Sequence, residues 1–189
     1  DAAKQHLIES MEKDPGRVRA HYDLGAVFYD QEDFHKAIFH CEKVIAKQPD
    51  HAEAHYVLGM ARYKEGQHAE SLPYLQKAAA LRPNKSEWRN RVAHVLSRSP
   101  ETRLRNGAEA VRYATRACEL SRYQVPSYIR TLASSYAATG DFNAAMREAD
   151  KAASLAKQKG NTELAAGIEA DRNLYRQRMP ARDASGGAK

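Results

Sequence analysis

From residue 17 onward the chain alternates two kinds of stretch. Apolar residues recur at three- and four-residue spacing over several turns, a short polar break follows, and the period resumes. The runs RVRAHYDLGAVFYDQ (17–31), DFHKAIFHCEKVIAKQP (33–49), AEAHYVLGMARYKEG (52–66) and QHAESLPYLQKAAALRP (67–83) show it most plainly. Each predicts an amphipathic helix with one buried face. The breaks fall at QED and EGQ, and Pro49 and Pro83 close successive helix pairs. Further on, SEWRNRVAHVLSRSP (86–100), AEAVRYATRACEL (108–120), LASSYAATGDFNAAMREADKAASLA (132–156) and NTELAAGIEADRNLYRQRM (161–179) continue the helical period.

The pattern also repeats on a longer scale. Leu24 and Leu58, Gly25 and Gly59, His21 and His55, Tyr22 and Tyr56, Tyr29 and Tyr63, and Pro49 and Pro83 all stand 34 positions apart. A fixed offset of this size marks a stack of helix pairs, each burying its apolar face against the next. On these residues the chain resembles the tetratricopeptide repeat family, whose first helix carries an aromatic residue, Leu-Gly and Tyr, and whose second carries Ala, an aromatic residue and a closing Pro. His21, Leu24, Gly25, Phe28, Ala37, Cys41 and Pro49 stand at those places in one repeat. His55, Leu58, Gly59, Ser71, Leu75, Ala78 and Pro83 stand there in the next, with Arg62 where Tyr is usual. The resemblance implies an all-α, right-handed superhelical solenoid of antiparallel helix pairs. Gly25 and Gly59 would let neighbouring helices approach closely, and Ala37 and Ala78 would hold the second helix tight against the first.

The expected organisation follows. Residues 17–50 and 51–84 form repeats 1 and 2, and residues 85–124 a third with an insert near 97–107 that delays its second helix. Residues 125–159 form a fourth, marked by Leu132, Ala133, Tyr136, Gly140, Phe142, Ala145, Ala149 and Ala152. Residues 160–179 read as a capping helix with a polar face, and 180–189 as a flexible tail. At the start, Ala3, Leu7 and Pro15 match Ala37, Cys41 and Pro49 by the same offset. Residues 1–16 therefore read as the second helix of a truncated earlier repeat, or as an N-terminal cap.

Composition narrows the chemistry. No stretch approaches the 18 apolar residues that suggest a membrane span. Two cysteines, Cys41 and Cys118, both in Ala-rich helical patterns, fit buried inert thiols rather than a disulfide framework or a zinc site. The net charge of +6 is unevenly placed. Residues 1–87 carry 12 basic and 14 acidic side chains, whereas 88–133 carry nine arginines, no lysine and three acids. Arginine enrichment suits bidentate contact with carboxylates or phosphates. A nucleic-acid surface would interleave aromatics with such a patch, but here the aromatic segment lies in the acidic half. There is no phosphate loop, nucleophile elbow or HExxH, so no catalytic residue, cofactor or metal is expected. His51 and His55 share a helix spacing, but His55 has a twin in His21 whereas His51 corresponds to Arg17. That is a repeat boundary rather than a metal pair, which would also need further ligands and a supporting shell.

In the family the first helices of successive repeats line a concave groove that grips a peptide or a helix of another protein. By resemblance Tyr22, Tyr29, Tyr56, Met60 and Tyr63 would form an aromatic stripe there, and Asn90, Arg91, His94, Arg98 and Arg130 a donor-rich positive segment. Tyrosines give large contact area at low entropy cost. Some family members clamp a terminal carboxylate, but Tyr22, Ala26 and Val57 stand where the polar clamp residues belong, and Arg91 alone matches. The expectation is a non-catalytic interaction scaffold for a protein or peptide, with an acidic segment as the best-matched ligand. The alternatives are a targeting or regulatory domain of a larger enzyme or membrane-anchored assembly, and a self-associating array. A cytoplasmic or periplasmic setting suits all three.

Overall fold

The computed structural model describes residues 18–183. The helix expected over residues 1–16 and positions 184–189 of the tail lie outside them. Among the described residues there are nine α-helices and no strand. In chain order they are α1 (Val18–Asp30), α2 (Phe34–Lys47), α3 (Ala52–Lys64), α4 (His68–Leu81), α5 (Ser86–Arg98), α6 (Gly107–Leu120), α7 (Pro126–Thr139), α8 (Phe142–Gln158) and α9 (Thr162–Arg176). A 3₁₀ turn, Thr102–Leu104, lies in the expected insert. The helices divide between two compact units, with the boundary along the chain between Arg82 and Pro83.

In the first unit α1 packs on α2, α2 on α3 and α3 on α4, while α1 also touches α3. Such short connections force neighbouring helices to run antiparallel. The repeating glycines make the pairs close. A Cβ added at Gly25 would sit 2.8 Å from Cys41 Sγ, and one at Gly59 would sit 2.8 Å from Leu75 Cγ. Ala37 and Ala78, their opposite numbers on the second helices, are wholly buried. Ser71 adds a tie between the helices, its hydroxyl donating to the Gly59 carbonyl at 2.7 Å.

Local chemistry starts the helices. Asp33 accepts from the Lys36 amide at the head of α2, and His51 Nδ1 accepts from the Ala54 amide at 3.2 Å as the N-cap of α3. His55 reaches back, with Nε2 2.7 Å from the Pro49 carbonyl. The pair His51/His55 therefore secures a repeat joint, and no metal-binding cluster occurs among the described residues. Each joint needs the orphan amides of the new helix satisfied.

In the second unit α5 pairs with α6, α7 with α8, and α9 covers α8, with α6 on α7 and α5 on α7 completing the stack. Its core is small-residue packing: Ala93, Ala114, Cys118, Ala133, Ala145, Ala149, Ala152 and Ala156, closed by Ile129, Leu132, Ile168 and Tyr175. Asn106, Asp141 and Asn161 cap α6, α8 and α9. The insert is tied down rather than loose. Arg105 donates to the carbonyls of Ser99 and Pro100, both at 2.9 Å, and Arg103 pairs with Glu101. Both thiols are buried, and burial pushes Cys41 and Cys118 up to about 12.

The end of the described chain departs from the flexible tail expected over 180–189. Ala181 is 2% exposed and belongs to the core of the second unit. The Asp183 amide donates to the Arg98 carbonyl at 3.0 Å. Pro180, Ala181, Arg182 and Asp183 give no periodic signal for such packing, so only tertiary contacts reveal it.

Candidate functional site

In the second unit, α5 presents Glu87, Asn90, Arg91, His94 and Arg98 at helical spacing, so all five share one face. Ser127, Arg130, Thr131 and Ser134 do the same on α7. These nine residues, with Val125, Tyr128, Leu164 and Asp183, line a cavity of about 610 Å³. All four residues expected on α5 (Asn90, Arg91, His94, Arg98) are thus brought together with Arg130 of α7.

Charge inside this cavity is organised around one carboxylate. Asp171, projecting from α9 with its side chain only 7% exposed, accepts from two guanidiniums through the same oxygen: Arg98 Nη1 at 2.9 Å and Arg130 Nε at 2.7 Å. Arg98 also donates to Ser134 Oγ at 3.1 Å and, through Nε, to Asp183 Oδ1 at 3.1 Å. Arg130 lies along α9, donating to the Gly167 carbonyl at 3.2 Å. A Cβ at Gly167 would meet that guanidinium at 3.2 Å, so the glycine leaves room for it. Ser134 Oγ and Tyr175 OH lie 3.0 Å apart beneath the pair. Burial opposes the charge on Arg98, but Asp171 and Asp183 outweigh it and hold the guanidinium even more firmly protonated than usual.

His94 Nδ1 stands 3.5 Å from Asp183 Oδ2. Burial drives its pKa well below the ordinary histidine value, Arg98, Arg91 and Arg130 push the same way, and Asp183 opposes them. At neutral pH the ring is uncharged and acts as a polar wall. The amide oxygen of Asn90 is buried with no hydrogen-bond partner. An orphaned acceptor in a roomy polar cavity costs free energy until a ligand or water donates to it.

This arrangement corrects one expectation. Arg98 is 9% exposed and Arg130 is held by α9, so the positive segment is largely neutralised from within. Arg91 and Asn90 are less buried than Arg98. Asp171 and Asp183 were missed by sequence reasoning. Asp171 did leave a signal, as a lone acid between Ile168 and Tyr175 on the apolar face of α9; Asp183 left none.

The residues expected in the first unit are distributed differently. Tyr22 lies against His51, with ring centroids 4.9 Å apart and the planes tilted by 36°. Tyr29 contacts Phe34 at 5.8 Å and Tyr63 contacts His68 edge-on at 4.9 Å. These rings and Tyr56 are half-buried. Met60 is 5% exposed, so its side chain fills the interior rather than offering groove surface.

Residues 22–86 match the tetratricopeptide repeat family. That stretch, about a third of the chain, is similar to tetratricopeptide repeats. In that frame α1 and α3 are first helices and α2 and α4 second helices. Among solved structures, the tetratricopeptide fold recurs in YrrB, a TPR protein with an unusual peptide-binding site: 23% identity, a TM-score of 0.75, and coverage of 89% of this chain and 82% of that one. MamA is similar at 19% identity and a TM-score of 0.72, over 84% of this chain and 89% of that one. At these identities the likeness is one of fold. No curated protein matches the sequence. No helix among the described residues is long and apolar enough to cross a membrane.

Proposed function

We propose that the chain is a non-catalytic interaction module, and that the α5–α7–α9 cavity is where it holds an extended, acid-bearing segment of another protein. The observation that carries this reading is the cavity itself. Its volume of about 610 Å³ takes a few residues of extended chain, and its walls converge three guanidiniums with polar side chains on it. Arginines presented in a partly desolvated cleft suit carboxylates, because the guanidinium fork pairs both oxygens. The two thiols lie in the cores, where burial pushes them up to about 12. The tetratricopeptide fold and the peptide-binding site of YrrB support the same reading.

The test compares an Ala/Asp hexapeptide with its Ala/Asn counterpart by calorimetry on the full chain. Arg91→Glu should weaken the acidic peptide at least tenfold, and raising salt from 50 to about 500 mM should weaken it further, because a partly exposed pair is screened. Arg112→Glu, on the exposed flank of α6 with its side chain 78% accessible, is the control. Equal binding of the two peptides, or indifference to Arg91→Glu in a folded variant, would refute the reading.

A further inference from the structure

The cavity already holds a carboxylate from an extended segment, residues 180–183 (Pro-Ala-Arg-Asp), and it belongs to the same chain. Beyond the last turn of α9, residues 180–183 run back over the second unit. Ala181 sinks into the core, and Asp183 makes three contacts at the cavity. Its carboxylate accepts a hydrogen bond from Arg98 Nε at 3.1 Å and faces His94 at 3.5 Å, while its backbone amide donates to the Arg98 carbonyl at 3.0 Å. One side-chain pair and one main-chain bond to the same residue is how an extended peptide is gripped in register.

We infer that Pro180–Asp183 is a tethered ligand occupying the acid subsite, and that a partner binds by offering its own carboxylate to Arg98 and displacing Asp183. This rests on the reading of the cavity as an acid-segment site. Charge favours it. Arg91, Arg98 and Arg130 are matched in and beneath the cavity by Glu87, Asp171 and Asp183. Swinging the Asp183 carboxylate off Arg98 leaves one cation in excess, which a partner Asp or Glu restores at no cost in buried charge, and the Arg182 guanidinium, disfavoured by burial and by Arg105 and Arg98, gains by moving away with it. Asp171 cannot be the group exchanged, because two guanidiniums hold it and α9 carries it. Asp183 is the one carboxylate there that follows the last helix rather than lying within one. The tether makes binding selective, since a ligand must outcompete a segment always present at high effective concentration.

The experiment uses the full chain and the Ala/Asp hexapeptide as probe, with Asp183→Lys and Asp183→Asn variants and melting curves to confirm folding. The expected result is that both variants bind the probe about tenfold tighter than wild type, the factor gained when a closed segment populated about ten to one is released. Binding to wild type should also speed amide exchange at residues 181–183, as the Asp183 amide loses its carbonyl partner. Equal affinity in wild type and variants, with exchange at 181–183 unmoved, overturns the displacement while leaving the acid site intact. Weaker binding by the variants overturns it too, because the segment would then be part of the platform. Failure of the probe to bind wild type and variants alike removes the acid site and the displacement together.

Discussion

Replacing Asp171 with alanine removes the one carboxylate that Arg98 and Arg130 share. Its side chain is 7% exposed and that of Arg98 is 11% exposed, so water cannot fully take over. Two charge-assisted bonds of 2.9 and 2.7 Å disappear, and the guanidiniums are left facing each other across a cleft. Stranding a buried charge typically costs about 3–5 kcal/mol. Asp183 still pairs with Arg98, and Arg130 is 30% exposed, so the lower end, about 3 kcal/mol, is expected here. Urea titration followed by circular dichroism gives the global figure. Because stacked repeats open locally, amide exchange over residues 126–176 should locate the loss in α7 and α9. Asp171→Leu combined with Arg98→Met should recover only part of it, because Arg130 still loses its carboxylate and Asp183 its guanidinium. A loss below about 1 kcal/mol for Asp171→Ala would refute the claim that this carboxylate organises the site; failure of the double variant to recover any of it would assign the cost to packing instead.

Two further outcomes test the first unit. Glu32 sits at φ +60°, in the place that Gly66 takes one repeat later at φ +78°. Glu32→Gly should therefore stabilise by about 0.5–1 kcal/mol, read as a higher urea midpoint with an unchanged slope; a lower midpoint would mean that the glutamate side chain contributes more than its backbone costs. His40, stacked on Phe28 and 3.0 Å from His21 Nδ1, is pushed down to about 4 by burial, with His21 adding to it. The unfolded chain then binds the extra proton first, so stability is full above about pH 6.5 and falls towards pH 4.5, by about 2 kcal/mol. His94 contributes with the same sign. His40→Gln should flatten part of that slope; wild type and variant losing stability in parallel would exclude His40 as a source.

The helices, their order and their tight pairing were legible in the chain because they depend on local period and on a repeated offset. The 34-residue recurrence placed Gly25 and Gly59 at helix contacts, and the structure shows why no larger residue fits there. The same spacing put Asn90, Arg91, His94 and Arg98 on one face of α5. Periodicity says which side of a helix a residue takes, but not what stands opposite. Whether Arg98 and Arg130 face solvent or a buried acid depended on α9, more than 40 residues away from either in most of its contacts, and on how Gly167 lets Arg130 lie against it. Met60 shared the groove's period yet lies inside, because burial is set by the neighbours a helix meets. The return of Pro180–Asp183 over the cavity had no local cause at all. It rests on one buried alanine and on Arg98, contacts that form only when the helices have stacked.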